Sequence, residues 1–227
     1  MQSLYLYINI FSVLGPLLLS FDKKVAFYKK WKAWLLATIP VALAFIIWDI
    51  LFTKHGIWGF NPDYLIGINI VNLPLEECLF FITIPYCCMF IHECNKAYFK
   101  KWIKKTPVNI LNIFFLLLFI TVGFLNIDRL YTSITFLSSF VLLSYIFYTK
   151  PYYIKTFYWT YFISLIPFLI VNGILTGTGI KEEVVWYNSN HIQNIKIGTI
   201  PVEDSIYLFL LLLGITILYE KLLLKKI

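Results

Sequence analysis

Long apolar stretches, separated by short polar segments, run through almost the whole chain. A helix needs about 20 residues to cross the roughly 30 Å hydrocarbon core of a bilayer, and the apolar stretches approach or reach that length. The pattern predicts an all-α integral membrane protein with seven transmembrane helices. The predicted spans cover residues 4–20, 33–52, 73–91, 108–125, 130–148, 157–175 and 201–219.

Composition supports this class, because 60% of the 227 residues are hydrophobic and only 14% are charged. The first apolar stretch has no basic region before it and no small-residue cleavage site. We therefore expect it to remain as a span rather than to act as a signal peptide.

The net charge of +7 comes mainly from lysines in alternate loops. Fifteen of the 19 Lys and Arg residues fall within 23–32, 96–105, 150–155 and 221–226; the others are Lys54, Arg129, Lys181 and Lys196. The positive-inside rule predicts a multi-pass protein of the cell membrane, with its N-terminus outside and its C-terminus in the cytoplasm. This distribution does not favour nucleic acid as a partner.

A short acidic motif occurs twice. Residues 72–81 read Asn-Leu-Pro-Leu-Glu-Glu-Cys-Leu-Phe-Phe, and residues 199–208 read Thr-Ile-Pro-Val-Glu-Asp-Ser-Ile-Tyr-Leu. A duplicated unit is the simplest explanation. The same offset of 127 positions matches Pro40 with Pro167, Phe60 with Tyr187, Asn61 with Asn188 and Glu93 with Glu220.

The offset predicts two parallel three-helix repeats, at 1–107 and 130–227, joined by a linking transmembrane helix at 108–129. Because the linking helix restores the orientation, each repeat would begin outside and end inside. Both acidic pairs would then lie at the same depth and on the same side. Two repeats can build one shared site in this way.

The candidate catalytic residues are Glu76, Glu77, Glu203 and Asp204. Proline at the first helical position with acids in the first turn is typical of any helix start. Carboxylates are costly in hydrocarbon, however, and adjacent pairs ahead of lipid-length helices favour a functional role. On a helix Glu76 shares a face with Phe80, and Glu203 with Tyr207, so each acid would lie beneath an aromatic ring.

Buried acids beside aromatic rings suit one kind of chemistry. At least one acid of a buried, converging cluster should hold a proton at neutral pH, because burial and neighbouring carboxylates disfavour the charged form. An aromatic wall stabilises a developing cation by roughly 0.5–2 kcal/mol per well-placed ring. The combination favours carbocation chemistry on a lipophilic alkene.

The two predicted outer loops carry similar aromatic motifs, with Trp58, Phe60 and Asn61 in one and Trp186 and Asn188 in the other. Each motif is either an interfacial belt at the headgroup level or a re-entrant lid over a cavity. Their recurrence ahead of both acidic pairs favours lids.

Cysteines and histidines offer little chemistry. The four cysteines cluster on or just beyond one predicted helix, where they cannot satisfy disulfide geometry, so we interpret them as packing residues. The histidines do not match under the repeat offset, and no metal site is expected. These residues are Cys78, Cys87, Cys88, Cys94, His55, His92 and His191.

At its acidic motifs the chain resembles the small, non-flavin lycopene cyclases, which occur as two-subunit enzymes or as fused single chains. The family hallmark, Pro-x-Glu-(Glu/Asp) followed by aromatic and apolar residues, matches residues 74–81 and 201–209. The resemblance extends through residues 20–25, 48–49, 58–61 and 172–176. It covers nearly the whole chain, in the fused arrangement.

The resemblance implies an isomerase that forms β-ionone rings on lycopene, giving β-carotene by way of γ-carotene without a cofactor. Glu76 and Glu203 would be the leading acid and base, with Glu77 and Asp204 tuning their protonation. The residues implied to orient the carboxyls are Asp49, Asn61, Asn172 and Asn188, and those implied to line the cation pocket are Trp48, Trp58, Phe80, Trp186 and Tyr207. The implied partners are lycopene, the lipid bilayer and other carotenoid-pathway enzymes.

Two other classes remain open. A membrane prenyltransferase also combines acids with aromatics, but it binds diphosphate through Mg²⁺ with Asp-rich clusters and basic ligands, which neither acidic pair has nearby. A transporter or channel also contains parallel repeats and intramembrane acids. Pigment colour in a lycopene-producing host separates these classes from a cyclase.

Overall fold

The computed structural model describes residues 3–225, and its secondary structure is predominantly α-helical. Positions 1, 2, 226 and 227 lie outside the described residues. They are the first two residues of the first predicted repeat and the last two of the second, and they include Lys226, one of the lysines in the predicted charge bias. The helices are α1 (Leu4–Leu19), α2 (Trp31–Lys54), α3 (Leu75–Tyr98), α4 (Lys100–Lys104), α5 (Val108–Leu125), α6 (Leu130–Thr149), α7 (Ile154–Leu175) and α8 (Val202–Leu224).

Within residues 3–225, six helices are long and apolar enough to cross a membrane: α2, α3, α5, α6, α7 and α8. The helix α1 is apolar but has only 16 residues. Every predicted span corresponds to one helix, although α2 begins two residues earlier and ends two residues later than its apolar run. The pattern did not predict the short, lysine-rich α4.

The helices α3 and α8 are the most buried of the six long helices. The helix α3 packs against α1, α2 and α7, while α8 packs against α2 and α6. Large aromatic side chains fill the space between the helices, among them Phe81, Tyr158, Phe209 and Tyr219, each with at most 1% of its surface exposed. The acidic pairs therefore begin the two helices at the centre of the bundle.

Six very short strands form in the loops that precede α3 and α8. They are β1 (Trp58–Phe60), β2 (Asn69–Ile70), β3 (Leu73–Pro74), β4 (Val185–Tyr187), β5 (Lys196–Ile197) and β6 (Ile200–Pro201). The strands β2 and β3 form one antiparallel hairpin, and β5 and β6 form another. The strand β1 pairs with β4 across the two loops.

The two loops have matching backbone hydrogen bonds. The Leu75 N–H donates to the Ile68 carbonyl at 2.8 Å, and the Val202 N–H, 127 positions later, donates to the Ile195 carbonyl at 3.0 Å. The strands β1 and β4 are also counterparts under this offset, and they pair antiparallel with each other. The two halves are thus joined at their loops by equivalent segments.

Candidate active site

The helices that carry the acidic pairs begin in the same way. Pro74 precedes α3 with φ −61° and ψ 145°, and Pro201 precedes α8 with φ −57° and ψ 139°. In both helices the two acids occupy the first turn. Free N–H groups and the helix dipole favour carboxylates at this position. The local sequence thus places each acidic pair at the loop end of its helix.

Glu76 and Glu203 attach the loops to the helices. Both side chains are fully buried. Glu76 Oε1 accepts a hydrogen bond from the Ile66 N–H at 2.7 Å, and Glu203 Oε1 accepts one from the Gln193 N–H at 2.7 Å. The Thr132 hydroxyl also donates to Glu203 Oε1 at 2.6 Å. These two contacts to loop N–H groups are equivalent under the repeat offset.

Three other carboxyls converge on one small cavity, here termed the acid cavity. Glu77 from α3, Asp204 from α8 and Asp49 from α2 all line it. Their side chains are buried, with at most 9% of the surface exposed. The volume is about 50 Å³, which is enough for only a few water molecules. The two halves of the chain therefore contribute carboxyls to a single space.

Asp204 accepts three hydrogen bonds from side chains. Its Oδ1 accepts from the Tyr131 hydroxyl at 2.6 Å, and its Oδ2 accepts from Asn172 Nδ2 at 2.7 Å and from the Tyr187 hydroxyl at 2.8 Å. Burial, together with the nearby Asp204, raises the pKa of the loop residue Tyr187 well above its usual range. Its hydroxyl thus remains a donor at neutral pH. Three donors aimed at one carboxyl favour its charged form.

Glu77 and Asp49 have fewer donors. Glu77 Oε2 accepts one hydrogen bond, from the Tyr5 hydroxyl of α1 at 2.6 Å. Among residues 3–225, the buried Oδ2 of Asp49 has no hydrogen-bond partner, and neither does the buried hydroxyl of Tyr207. The acid cavity thus contains one carboxyl with three hydrogen-bond donors, Asp204, and two carboxyls with fewer.

Half of the sixteen residues that line the acid cavity are aromatic. The ring centroid of Trp58 lies 4.9 Å from that of Tyr131 and 6.3 Å from that of Tyr207. Ring faces attract cations, so the wall is suited to positive charge. The aromatic lining residues are Tyr5, Trp58, Phe60, Phe80, Tyr131, Phe168, Tyr187 and Tyr207.

The paired strands β1 and β4 close the loop end of the acid cavity. Each strand contributes two lining residues, Trp58 and Phe60 from β1 and Val185 and Tyr187 from β4. In this strand pair Gly59 lies opposite Trp186. Any Cβ at Gly59 would overlap the indole ring of Trp186. Only glycine permits this close approach.

One family model, described as lycopene cyclase, matches the chain twice, at residues 2–95 and at residues 128–222. The chain belongs to the lycopene cyclase family. The two matches also confirm the internal repeat predicted from the doubled motif.

A curated protein gives a shorter match to this lycopene cyclase family member. The bifunctional lycopene cyclase/phytoene synthase of Aspergillus niger is 36% identical over 55 residues, which is 24% of this chain and 9% of the fungal protein. The match thus covers only a small part of that relative's length. No solved structure matches the chain.

More than half of the site residues expected from sequence line the acid cavity: Asp49, Trp58, Glu77, Phe80, Asn172, Asp204 and Tyr207. Trp48 lies directly behind this lining, with its ring 5.2 Å from that of Tyr207. Glu76 and Glu203, expected to be the leading acid and base, are not among the lining residues of the cavity.

Three more of the expected residues lie in the loops. Asn61 accepts from the Asp63 N–H at 3.0 Å and donates to Glu182 at 3.2 Å. Asn188 accepts from the Asn190 N–H at 3.0 Å and donates to the Gly56 carbonyl at 3.1 Å. Trp186 is 39% exposed and packs over Gly59. The hydrogen bonds of both asparagines shape the loops, instead of orienting the acids as expected.

Sequence reasoning missed several cavity residues. Tyr5 and Tyr131 donate hydrogen bonds to acids that are 72 and 73 positions away in the sequence. A short motif cannot predict contacts between residues so far apart in the chain. Phe168 lies in an apolar run that reads as ordinary helix core. Tyr187 left a detectable signal, because the repeat offset matches it with Phe60 and both line the cavity.

The far ends of α3 and α8 carry a second polar cluster, in which the ligand atoms of His92, Glu93 and Glu220 lie within 4.8 Å of one another. His92 Nε2 is 2.8 Å from Glu220 Oε1, and the Tyr219 hydroxyl donates to Glu93 at 3.0 Å. Lys96 bridges both carboxylates, at 3.1 Å and 2.9 Å. A metal ion would have to displace this lysine, so we interpret the cluster as a structural link between the halves.

Proposed function

We propose that the protein is a lycopene cyclase that converts the acyclic ψ end group of lycopene into a β-ionone ring. The observation that carries the proposal is the acid cavity, where carboxyls from both halves, Asp49, Glu77 and Asp204, meet inside an aromatic wall. Membership of the lycopene cyclase family supports the same activity.

Within the acid cavity we assign Glu77 as the proton donor and Asp204 as the carboxylate. Mutual repulsion in a space of low polarity keeps at least one of three adjacent carboxyls protonated. Asp204, with three donors, is best suited to stay charged, whereas Glu77 has a single donor. Asp49, whose Oδ2 accepts no hydrogen bond from residues 3–225, lies beside them as a second carboxyl suited to hold a proton. Glu76 and Glu203 then hold the loops in place. The roles of acid and base, expected at Glu76 and Glu203, pass to the next residue of each motif, Glu77 and Asp204.

The proposed reaction transfers a proton in and a proton out. Glu77 adds a proton to C2 of the terminal double bond, and the C5=C6 double bond attacks the resulting cation at C1. Loss of a proton from C6 gives a β ring, while loss from C4 would give an ε ring. Asp204 accepts that proton, and the aromatic wall stabilises the cation between the two steps. Substrate and product have the same formula, so no redox cofactor is consumed.

The topology that fits this function has seven spans, with α1 as the first. At 1.5 Å per residue its 16 residues reach about 24 Å, and flanking residues would complete the crossing. The two repeats, at 1–107 and 130–227, would then be parallel on either side of the linking segment at 108–129. This arrangement leaves the N-terminus and the paired loops outside and the C-terminus in the cytoplasm, as the lysine distribution favours.

The proposed partners follow from the reaction. Lycopene is the substrate, and the bilayer dissolves it. Association with other carotenoid-pathway enzymes would shorten the transfer of this insoluble molecule between them.

The function is tested in a host that accumulates lycopene. Expression of the chain should turn red cells yellow or orange, and chromatography should identify cyclic carotenoids. Glu77→Gln should leave the cells red at equal membrane expression. Cells that remain red with the wild-type chain would refute the proposal, and they would favour a transporter or a different isoprenoid enzyme.

A further inference from the structure

A second, larger hollow lies next to the acid cavity and is lined almost entirely by apolar atoms. Its volume is about 320 Å³, and it lies between α1, α3 and α7. Here it is termed the apolar groove. Its lining includes Gly15 and Pro16 from α1, Ile84 and Cys87 from α3, and Phe168 and Val171 from α7. Nothing in the acid and base chemistry requires such a space.

The apolar groove continues the acid cavity along all three helices. On α3, Phe80 lines the cavity and Ile84, one turn further on, lines the groove. On α1, Tyr5 lines the cavity and Gly15 lines the groove. On α7, Phe168 lines both spaces. The ring of Phe168 thus separates the chamber that contains the acids from the apolar one.

The groove runs towards the middle of the apolar helices. On α3 the two spaces together extend from Glu77 to Ile91, which is roughly 21 Å at 1.5 Å per residue. A molecule that fits both spaces has a reactive end at the acids and a long, unbranched or lightly branched apolar tail.

We propose that the apolar groove binds the polyene chain of the substrate while its end group reacts in the acid cavity, with Phe168 as the residue between the two. This inference rests on the proposed function. The cavity alone, at about 50 Å³, is small for a ring with its methyl groups, so the Phe168 side chain must shift when the end group enters. The groove thus determines which chains reach the acids.

Gly15 offers a direct test. A Cβ built at this groove-lining residue would meet no atom within 4 Å, so there is room for a larger side chain to extend from it into the groove. Gly15→Phe should lower the rate of ring formation by roughly tenfold or more, as expected for overfilling a binding site. Gly15→Ala should lower the rate by less than Gly15→Phe does, because it adds only one methyl group to the groove.

Two further variants separate blockage from misfolding. Val171→Phe fills the groove from α7 and should reproduce the loss. Leu18→Trp adds bulk to α1 on a side chain that is 66% exposed and is not among the groove's lining residues, so its rate should stay near wild type. All are measured as purified full chains in lipid vesicles supplied with lycopene, at equal amounts of folded protein.

A second measurement does not depend on turnover. The Glu77→Gln chain, purified from a lycopene-producing host, should retain lycopene, and adding Gly15→Phe should remove most of it. Wild-type rates in both Gly15→Phe and Val171→Phe, or undiminished retention, would overturn the groove assignment and leave the cyclase proposal intact. A wild-type chain that forms no rings would refute the cyclase proposal, while retention lost on filling the groove would still support a polyene site.

Discussion

Conservative substitution of each of the four motif acids should divide them into two classes. Glu77→Gln and Asp204→Asn remove a carboxyl from the acid cavity. Glu76→Gln and Glu203→Gln change only the residues that attach the loops. We expect the first two variants to lose activity and the second two to retain most of it. Glu76 is adjacent to Glu77, and Glu203 is adjacent to Asp204. Within each acidic motif, one variant therefore serves as the control for the other.

The magnitudes follow from the contacts. Removing a proton-transfer group costs about 10²–10⁴-fold in rate, which corresponds to roughly 2.7–5.4 kcal/mol in the barrier. Glu203 Oε1 accepts from the Gln193 N–H and the Thr132 hydroxyl, and a glutamine oxygen preserves both contacts. The Glu76 contact with the Ile66 N–H survives in the same way. We expect these two variants to lose less than about tenfold, or ~1.4 kcal/mol.

The assay measures initial rates of ring formation from lycopene in vesicles, corrected for folded protein by fluorescence-detected gel filtration. Thermal unfolding of each variant provides the stability control. Loss of activity in Glu76→Gln and Glu203→Gln, with activity retained in Glu77→Gln and Asp204→Asn, would refute the assignment of roles. The proton would then be transferred at the loop contacts.

Three further results are expected. Tyr187→Phe removes one of the three donors to Asp204. A hydrogen bond to a charged group contributes about 1.5–3 kcal/mol, so the rate of ring formation should fall roughly 10- to 100-fold. An unchanged rate would show that this donor is dispensable. Cysteines introduced at Asp63 and Asn190 should both react with a membrane-impermeant thiol reagent in intact cells, with the unmodified chain as background, whereas labelling of only one would contradict parallel repeats. In heavy water, each ring formed should carry one solvent deuteron at C2, and unlabelled rings or a strict need for reduced flavin would exclude proton addition from a carboxyl.

Much of this architecture could be read from the chain alone. The lengths of the apolar runs predicted the long helices, because crossing hydrocarbon imposes a minimum helix length and excludes charges. The doubled acidic motif predicted the internal repeat and marked the right helix starts. Both signals are local, so they survive in a one-dimensional sequence. The same offset matches Phe60 with Tyr187, and both line the acid cavity, although neither was among the site residues expected from sequence.

Which acid faces the cavity was decided only by the tertiary structure. Neighbouring residues on a helix differ by about 100° in direction, and nothing in the two motifs states which direction is inward. The packing of α3 and α8 turns Glu77 and Asp204 to the cavity, and the loops then use Glu76 as a hydrogen-bond acceptor. The donors from Tyr5 and Tyr131 likewise depend on how distant helices pack. Side-chain direction and long-range contact arise from the packed bundle, which is why the sequence located the site but not the arrangement of its acids.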